Sequence, residues 1–172
     1  SDFVHEKGML LHMDGARISN AAVTLDIPFK AFTTDAGVDI LSFGGTKNGM
    51  MYGEAVCFLK PGICKDFKYI RKQGMQLASK MRYISAQYLA YFNNDLWKRN
   101  ASHSNSMALL LAEKIKDLKR IHITQVVQSN GVFVIIPKEV ADKVSKSYFF
   151  YPWNETTSEY RLMTSWDTTE ED

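Results

Sequence analysis

Apolar residues first gather in the run Met9-Leu10-Leu11-His12-Met13, which stops at Asp14-Gly15. A short apolar run closed by glycine has the pattern of a strand buried on both faces of a parallel sheet. A helical stretch from Ala16 to about Leu25 follows, and Pro28 interrupts it. Val38 to Phe43 repeats the buried-strand pattern and ends at Gly44-Gly45. The two runs start about 30 residues apart, the usual length of a βαβ crossover. Glu54 to Leu59 reads as a third strand, and Pro61-Gly62 as the opening of a helix through about Lys72.

From Gln76 to about Asn100, residues Leu77, Met81, Ile84, Tyr88, Tyr91 or Phe92, and Leu96 recur at steps of three and four and predict one amphipathic helix. A second helix is expected from about Ser104 to Leu118, with Met107, Leu110, Leu111, Ile115 and Leu118 as its inner face. The texture then changes. Ile121 to Gln128 and Val132 to Ile136 read as strands around the Asn130-Gly131 turn, Lys138 to Lys146 as a short helix and Arg161 to Trp166 as a last strand. The pattern is α/β: a part with parallel strands, a boundary near residue 100, and a smaller α+β part.

Composition narrows the class. A chain of 172 residues and 19.6 kDa suits one ordinary domain or two small ones, and 45% hydrophobic content is far too high for a disordered polymer. With 21 Lys+Arg against 19 Asp+Glu the net charge is +2, so no nucleic-acid or anionic-membrane partner is expected. No apolar run approaches the ~18 residues of a membrane-crossing helix. Cys57 and Cys64 form neither a CxxC pair nor a disulfide framework, which suits a reducing, cytoplasmic setting, and no metal site is expected. The opening Ser1-Asp2-Phe3-Val4-His5-Glu6 runs at once into a helix end closed by Lys7-Gly8. The closing Asp167 to Asp172 reads as a helix start, with Thr168 or Thr169 as cap. The chain is therefore expected to be a fragment cut at both ends.

Two positions could carry chemistry. Asp14 stands at the end of a strand, where ligands of open α/β sheets sit; a helix cap suits it equally well. Lys47 lies in Gly44-Gly45-Thr46-Lys47-Asn48-Gly49, again just past a strand end, where either a glycine-rich turn with a solvated lysine or a close approach to a ligand fits. The GxxxxGK[ST] spacing of a phosphate loop is absent. An amine and an acid at the tips of two strands joined by a crossover share one chemical use. The amine can form a Schiff base with an aldehyde cofactor, and the acid can keep that cofactor's ring nitrogen protonated.

The segment Leu11-His12-Met13-Asp14-Gly15-Ala16-Arg17-Ile18 resembles the HxDGAR signature of the threonine aldolase and β-eliminating lyase family. Ser42-Phe43-Gly44-Gly45-Thr46-Lys47-Asn48-Gly49 resembles the cofactor-lysine motif of one branch of its low-specificity L-threonine aldolases. So do Gln76-Leu77-Ala78-Ser79-Lys80-Met81-Arg82, Asn130-Gly131-Val132-Phe133 and Arg161-Leu162-Met163-Thr164-Ser165-Trp166-Asp167, all in family order.

The resemblance implies pyridoxal 5′-phosphate as cofactor and a fold-type-I subunit, of which this chain is the second half. Residues 1–75 would be the C-terminal part of the cofactor-binding large domain with its mostly parallel sheet. Residues 76–100 would be a long connecting helix, and 101–172 a truncated small α+β domain. Lys47 would carry the cofactor, Asp14 would pair with its pyridinium nitrogen, Arg17 would lie near its phenolic oxygen, and Arg82 would contact phosphate. Arg161 would grip the substrate α-carboxylate through a two-point fork. The implied reaction is retro-aldol cleavage of L-threonine or L-allo-threonine to glycine and an aldehyde, in a homodimer or homotetramer with shared sites. Another lyase or an aminotransferase on the same scaffold, or a non-catalytic subunit, are the alternatives.

Other conspicuous residues have plainer readings. His12 is expected to be packed or hydrogen-bonded inside a buried strand, and His103 to cap a junction between two helices. Tyr148-Phe149-Phe150-Tyr151-Pro152-Trp153 suits core and edge of the small domain, and Lys114, Lys116, Lys119 and Arg120 a solvated helix face.

Overall fold

The structure, a computed structural model, describes residues 1–172. The chain divides into two compact units, Ser1–Lys98 and Arg99–Asp172. The first holds α1 (Asp2–Glu6), β1 (His12–Gly15), α2 (Ile18–Leu25), α3 (Phe29–Phe32), β2 (Ile40–Gly44), β3 (Glu54–Phe58), α4 (Phe67–Gln73) and α5 (Met81–Phe92). Helix α6 (Leu96–Ile115) leads into the second, which adds β4 (His122–Ile123), β5 (Gly131–Ile135), α7 (Lys138–Val144), β6 (Tyr151–Asn154) and β7 (Glu159–Met163).

In the first unit the strand order is β1-β2-β3. β1 and β2 run parallel, joined by the crossover that contains α2 and α3. β3 is antiparallel to β2, so one of the two pairings departs from the parallel arrangement expected for this part. Chain length explains it: residues 45–53 are fewer than the dozen or so a parallel crossover needs. The register places Met13, Leu41 and Cys57 side by side, as it does Asp14, Ser42 and Val56. One face therefore carries Met13, Leu41, Phe43, Ala55 and Cys57, packed with Ile18, Phe29, Met50, Tyr88, Tyr91 and Trp97. Each large apolar side chain buried there contributes about 1.5–3 kcal/mol. The other face stays largely open: His12, Asp14, Glu54 and Val56 are exposed and Ser42 half-buried. The strands are thus not buried on both faces, and the polar residues alternating with Leu11 and Met13 are the period-two signal of that.

The helix expected over 76–100 is not continuous. α5 starts only at Met81, and Leu77 lies outside it, 38% exposed. The chain turns through Met75 at positive φ before the helix, and after it Asn94 and Asp95 both take left-handed backbone. Asn and Asp tolerate that region where most residues do not. The next helix begins earlier than expected, at Leu96, and runs through residue 100, so the unit boundary falls inside a helix. The helix expected to open at Pro61-Gly62 starts instead at Phe67.

The second unit is a four-stranded sheet of order β4-β5-β7-β6, antiparallel throughout. Val132 and Val134 of β5 alternate into a core with Ala108, Ile136 and Ala141. β4 is only two residues long, β7 begins two residues before Arg161, and β6 was not expected as a strand. The aromatic stretch supplies that edge strand, yet little of it is core: Phe150 packs inward while Tyr148, Phe149, Tyr151 and Trp153 are exposed. Asp167–Asp172 forms turns and no helix, although the Asp172 carboxylate accepts hydrogen bonds from the Thr169 backbone and hydroxyl, as at a helix start.

Candidate functional site

Asp14 and Lys47 belong to neighbouring parallel strands. Asp14 is the third residue of β1, and Lys47 is the middle residue of a 3₁₀ turn, Thr46–Asn48, that follows β2. Both side chains are exposed. Asp14 Oδ1 accepts the Ala16 backbone N–H at 3.0 Å, a local turn that fixes the carboxylate where the chain leaves the strand. The Lys47 ammonium forms no ion pair.

Glycine chemistry brings the two segments together. A Cβ on Gly44 would lie 2.7 Å from the Cα of Ala16, so the backbone after Asp14 and the backbone before Lys47 touch, and any side chain at Gly44 would force them apart. Past the lysine, Gly49 takes φ 101°, a conformation that closes the turn and that L side chains rarely adopt.

The open face of the sheet continues from Asp14. His12 is exposed there, and its Nε2 lies 2.9 Å from the Ser42 hydroxyl, the residue in register with Asp14. The expectation of a hydrogen-bonded His12 is met and that of a buried one is not. Arg17 occupies the N-cap position of α2, half-buried. Arg82 is exposed near the start of α5, its guanidinium 5.4 Å from the Tyr83 ring centre, and no contact joins it to Asp14 or Lys47. His103 is not a cap: it lies mid-helix in α6, with Nε2 2.7 Å from the Thr168 carbonyl oxygen.

Arg161, in the second unit, lies in register with Phe133 on one side and Tyr151 on the other. Its guanidinium carbon is 5.1 Å from the Trp153 ring centre and 5.8 Å from that of Tyr151, within cation–π range. Trp153 is itself braced edge-on by Phe133 at 5.1 Å. Arg161 Nε is buried and has no hydrogen-bond partner. A buried guanidinium N–H without an acceptor is costly, and a carboxylate is the acceptor that its planar fork fits. Sequence reasoning picked Arg161 but missed Tyr151 and Trp153 as its supports; their alternation around Pro152, two residues apart, was the available signal.

Known proteins give the family. The family model described as beta-eliminating lyase matches residues 1–139. The chain belongs to the β-eliminating lyase family. It is 41% identical over 166 residues to a low specificity L-threonine aldolase of a Pseudomonas species, covering 96% of this chain and 48% of that protein. With its Pseudomonas aeruginosa counterpart it shares 42% identity over 164 residues, 95% of this chain and 47% of the relative. Among solved structures, a Leishmania major threonine aldolase superposes with a TM-score of 0.85 at 27% identity, covering 97% of this chain and 49% of the other. The chain thus spans about half the length of the relatives it matches.

β-Eliminating lyases of this family depend on pyridoxal phosphate. The residues present fit that group. An exposed, unpaired amine and an exposed carboxylate emerge from strand tips whose backbones touch at Gly44 and Ala16, with an uncovered sheet face beside them.

Proposed function

We propose that the protein cleaves β-hydroxy-α-amino acids such as L-threonine or L-allo-threonine to glycine and an aldehyde. One observation carries the reading: Lys47 and Asp14 are both solvent-facing at adjacent parallel strand ends held in backbone contact. Pyridoxal phosphate, when bound, supplies an aldehyde that condenses with amines and a protonated ring that takes up the electrons of the broken Cα–Cβ bond. Lys47 is the amine that would hold it. Asp14, with one oxygen occupied by the Ala16 N–H, would offer the other to the ring N–H through a charge-assisted hydrogen bond. Arg17, at the start of α2, would face the phenolic oxygen, and Arg82 would serve a phosphate.

Arg161 receives the substrate α-carboxylate on its fork and so fixes the orientation of the bond to be broken. Its unpartnered Nε and aromatic walls support that role. The low specificity L-threonine aldolase names of the Pseudomonas relatives support the choice of substrate. We also propose a homodimer or homotetramer and a cytoplasmic setting; no helix is long and apolar enough to cross a membrane. Because the relatives are about twice as long, the activity is assigned to a polypeptide of their length, and residues 1–172 alone are expected to hold the cofactor poorly.

The test is a product and trapping experiment on the complete protein. Glycine and acetaldehyde should appear in equal amounts from threonine, and borohydride should fix the cofactor to Lys47. A Lys47→Ala variant that still traps cofactor on another lysine, or products lacking glycine, would overturn the reading.

A further inference from the structure

The turn that carries Lys47 and the helix that follows Asp14 meet again below the surface, through side chains. Asn48 is the neighbour of Lys47, and Ser19 is the second residue of α2, two positions after Arg17. Asn48 Nδ2 donates to the Tyr91 hydroxyl at 2.6 Å and to the Trp97 carbonyl at 2.9 Å. The same Tyr91 hydroxyl lies 2.8 Å from Ser19 Oγ. All three side chains are cut off from water: Ser19 is 1% exposed, and Asn48 and Tyr91 are 2% each.

We infer that Tyr91 is a positioning residue for the cofactor site, its single hydroxyl setting the Lys47 turn against the helix that begins beside Asp14 and Arg17. The inference rests on the reading of Lys47 and Asp14 given above.

Three physical points support it. A phenol oxygen can accept from Asn48 and donate to Ser19 at once, so one atom bridges two chain segments; a phenylalanine of the same shape bridges neither. Burial raises the Tyr91 pKa, so the hydroxyl keeps the proton that double role needs. The turn is tied on one side by its own loop, where Gly45 N–H donates to the Gly53 carbonyl and the Thr46 hydroxyl bonds the Gly53 backbone, and on the other by Asn48, the side chain next to Lys47 that reaches into the core. The backbone contact at Gly44 and Ala16 fixes the two segments at the surface, and the Tyr91 bridge fixes them in the core. Of these attachments the Tyr91 bridge alone joins the Lys47 turn to α2 through side chains.

Tyr88 gives the internal control. It lies one turn earlier on α5, and its hydroxyl is buried with no hydrogen-bond partner, so it bridges nothing.

The test is Tyr91→Phe in the complete, cofactor-loaded protein, beside Tyr88→Phe. The readouts are the pH titration of the visible absorbance of the lysine-bound cofactor, kcat and KM for threonine, and thermal stability. Tyr91→Phe should move the titration midpoint by at least about half a pH unit and lower kcat about tenfold with KM little changed, since a small misplacement of a reacting group costs ten- to a hundredfold. Tyr88→Phe should move neither. Ser19→Ala, which removes the bridge from its other end, should shift the midpoint in the same direction and decides the matter should Tyr91→Phe fail to fold. A Tyr91→Phe or Ser19→Ala variant that loses thermal stability while keeping the wild-type titration and kcat makes the network merely structural and overturns the inference. Loss of the absorbance band in Lys47→Ala establishes the underlying site separately, so cofactor bound normally at Lys47 with no response to Tyr91→Phe defeats this inference alone.

Discussion

The groups around Lys47 in the first unit and around Arg161 in the second are held in different ways. In the first, side chains beneath the Lys47 turn are joined by buried hydrogen bonds from Asn48 to Tyr91 and between Tyr91 and Ser19, and at the opposite end of β2 Asp39 Oδ2 accepts from the Leu11 N–H and lies 2.8 Å from His5 Nε2. In the second, Arg161 is held by ring faces and keeps a buried N–H without an acceptor. Hydrogen bonds fix direction, and so suit a turn whose lysine must stand at one place. Aromatic faces restrain a guanidinium plane while leaving its N–H groups for an incoming anion.

The largest effect separating the two arrangements should come from Asp14→Ala. On the proposed reading it removes the charge that would face the cofactor ring, and it should lower kcat about a hundredfold, the scale of losing one preorganised electrostatic contact. Cofactor retention, measured by dialysis and absorbance, should fall much less. An equal loss of both would reduce Asp14 to a binding contact.

Arg161→Lys keeps the charge but loses the fork. One charge-assisted hydrogen bond is worth ~1.5–3 kcal/mol, so KM for threonine should rise about tenfold or more, and wild-type kinetics would remove Arg161 from the site. Trp153→Ala should raise KM only about threefold, because a half-exposed cation–π contact contributes ~0.5–1 kcal/mol. Trp153→Phe should restore most of the loss.

Asp39 gives the smallest effect, on stability and not on turnover. Its carboxyl is held below the usual range by the Leu11 N–H first, then by His5, against the opposing effect of burial. A depressed folded pKa contributes stability that is present above the unfolded value, about 3.9, and is lost as pH falls through the folded one. Wild type should therefore lose more thermal stability between pH 5 and 3 than Asp39→Asn does. Parallel melting curves across that range would contradict this.

Much of the site could be read from the chain. Asp14-Gly15 and Gly44-Gly45 marked strand ends because glycine punctuates, and the crossover length made β1 and β2 parallel neighbours. The antiparallel β3 was available too, in the short stretch 45–53. The open sheet face was misjudged because Leu11, Met13, Leu41 and Phe43 drew attention from His12, Asp14 and Ser42 alternating between them. The break after Phe92 escaped for a different reason. Asn93-Asn94-Asp95 permits left-handed backbone without demanding it, and an apolar stripe continues across it to Leu96.

Residue type and order were enough to give the element types, the parallel pair, the amine and acid at its tips, and the family, because these depend on local periodicity and on motifs a few residues long. The hydroxyl of Tyr91 bridging Ser19 and Asn48, the contact of Gly44 with Ala16, and the ring faces around Arg161 emerged only once the chain had packed. The first two are encounters between residues far apart in the chain, and the third is set by the register of two paired strands. Whether a phenol becomes core filler or an anchor depends on which donors and acceptors the folded backbone brings within 3 Å of it, as Tyr91 with two partners and Tyr88 with none make plain.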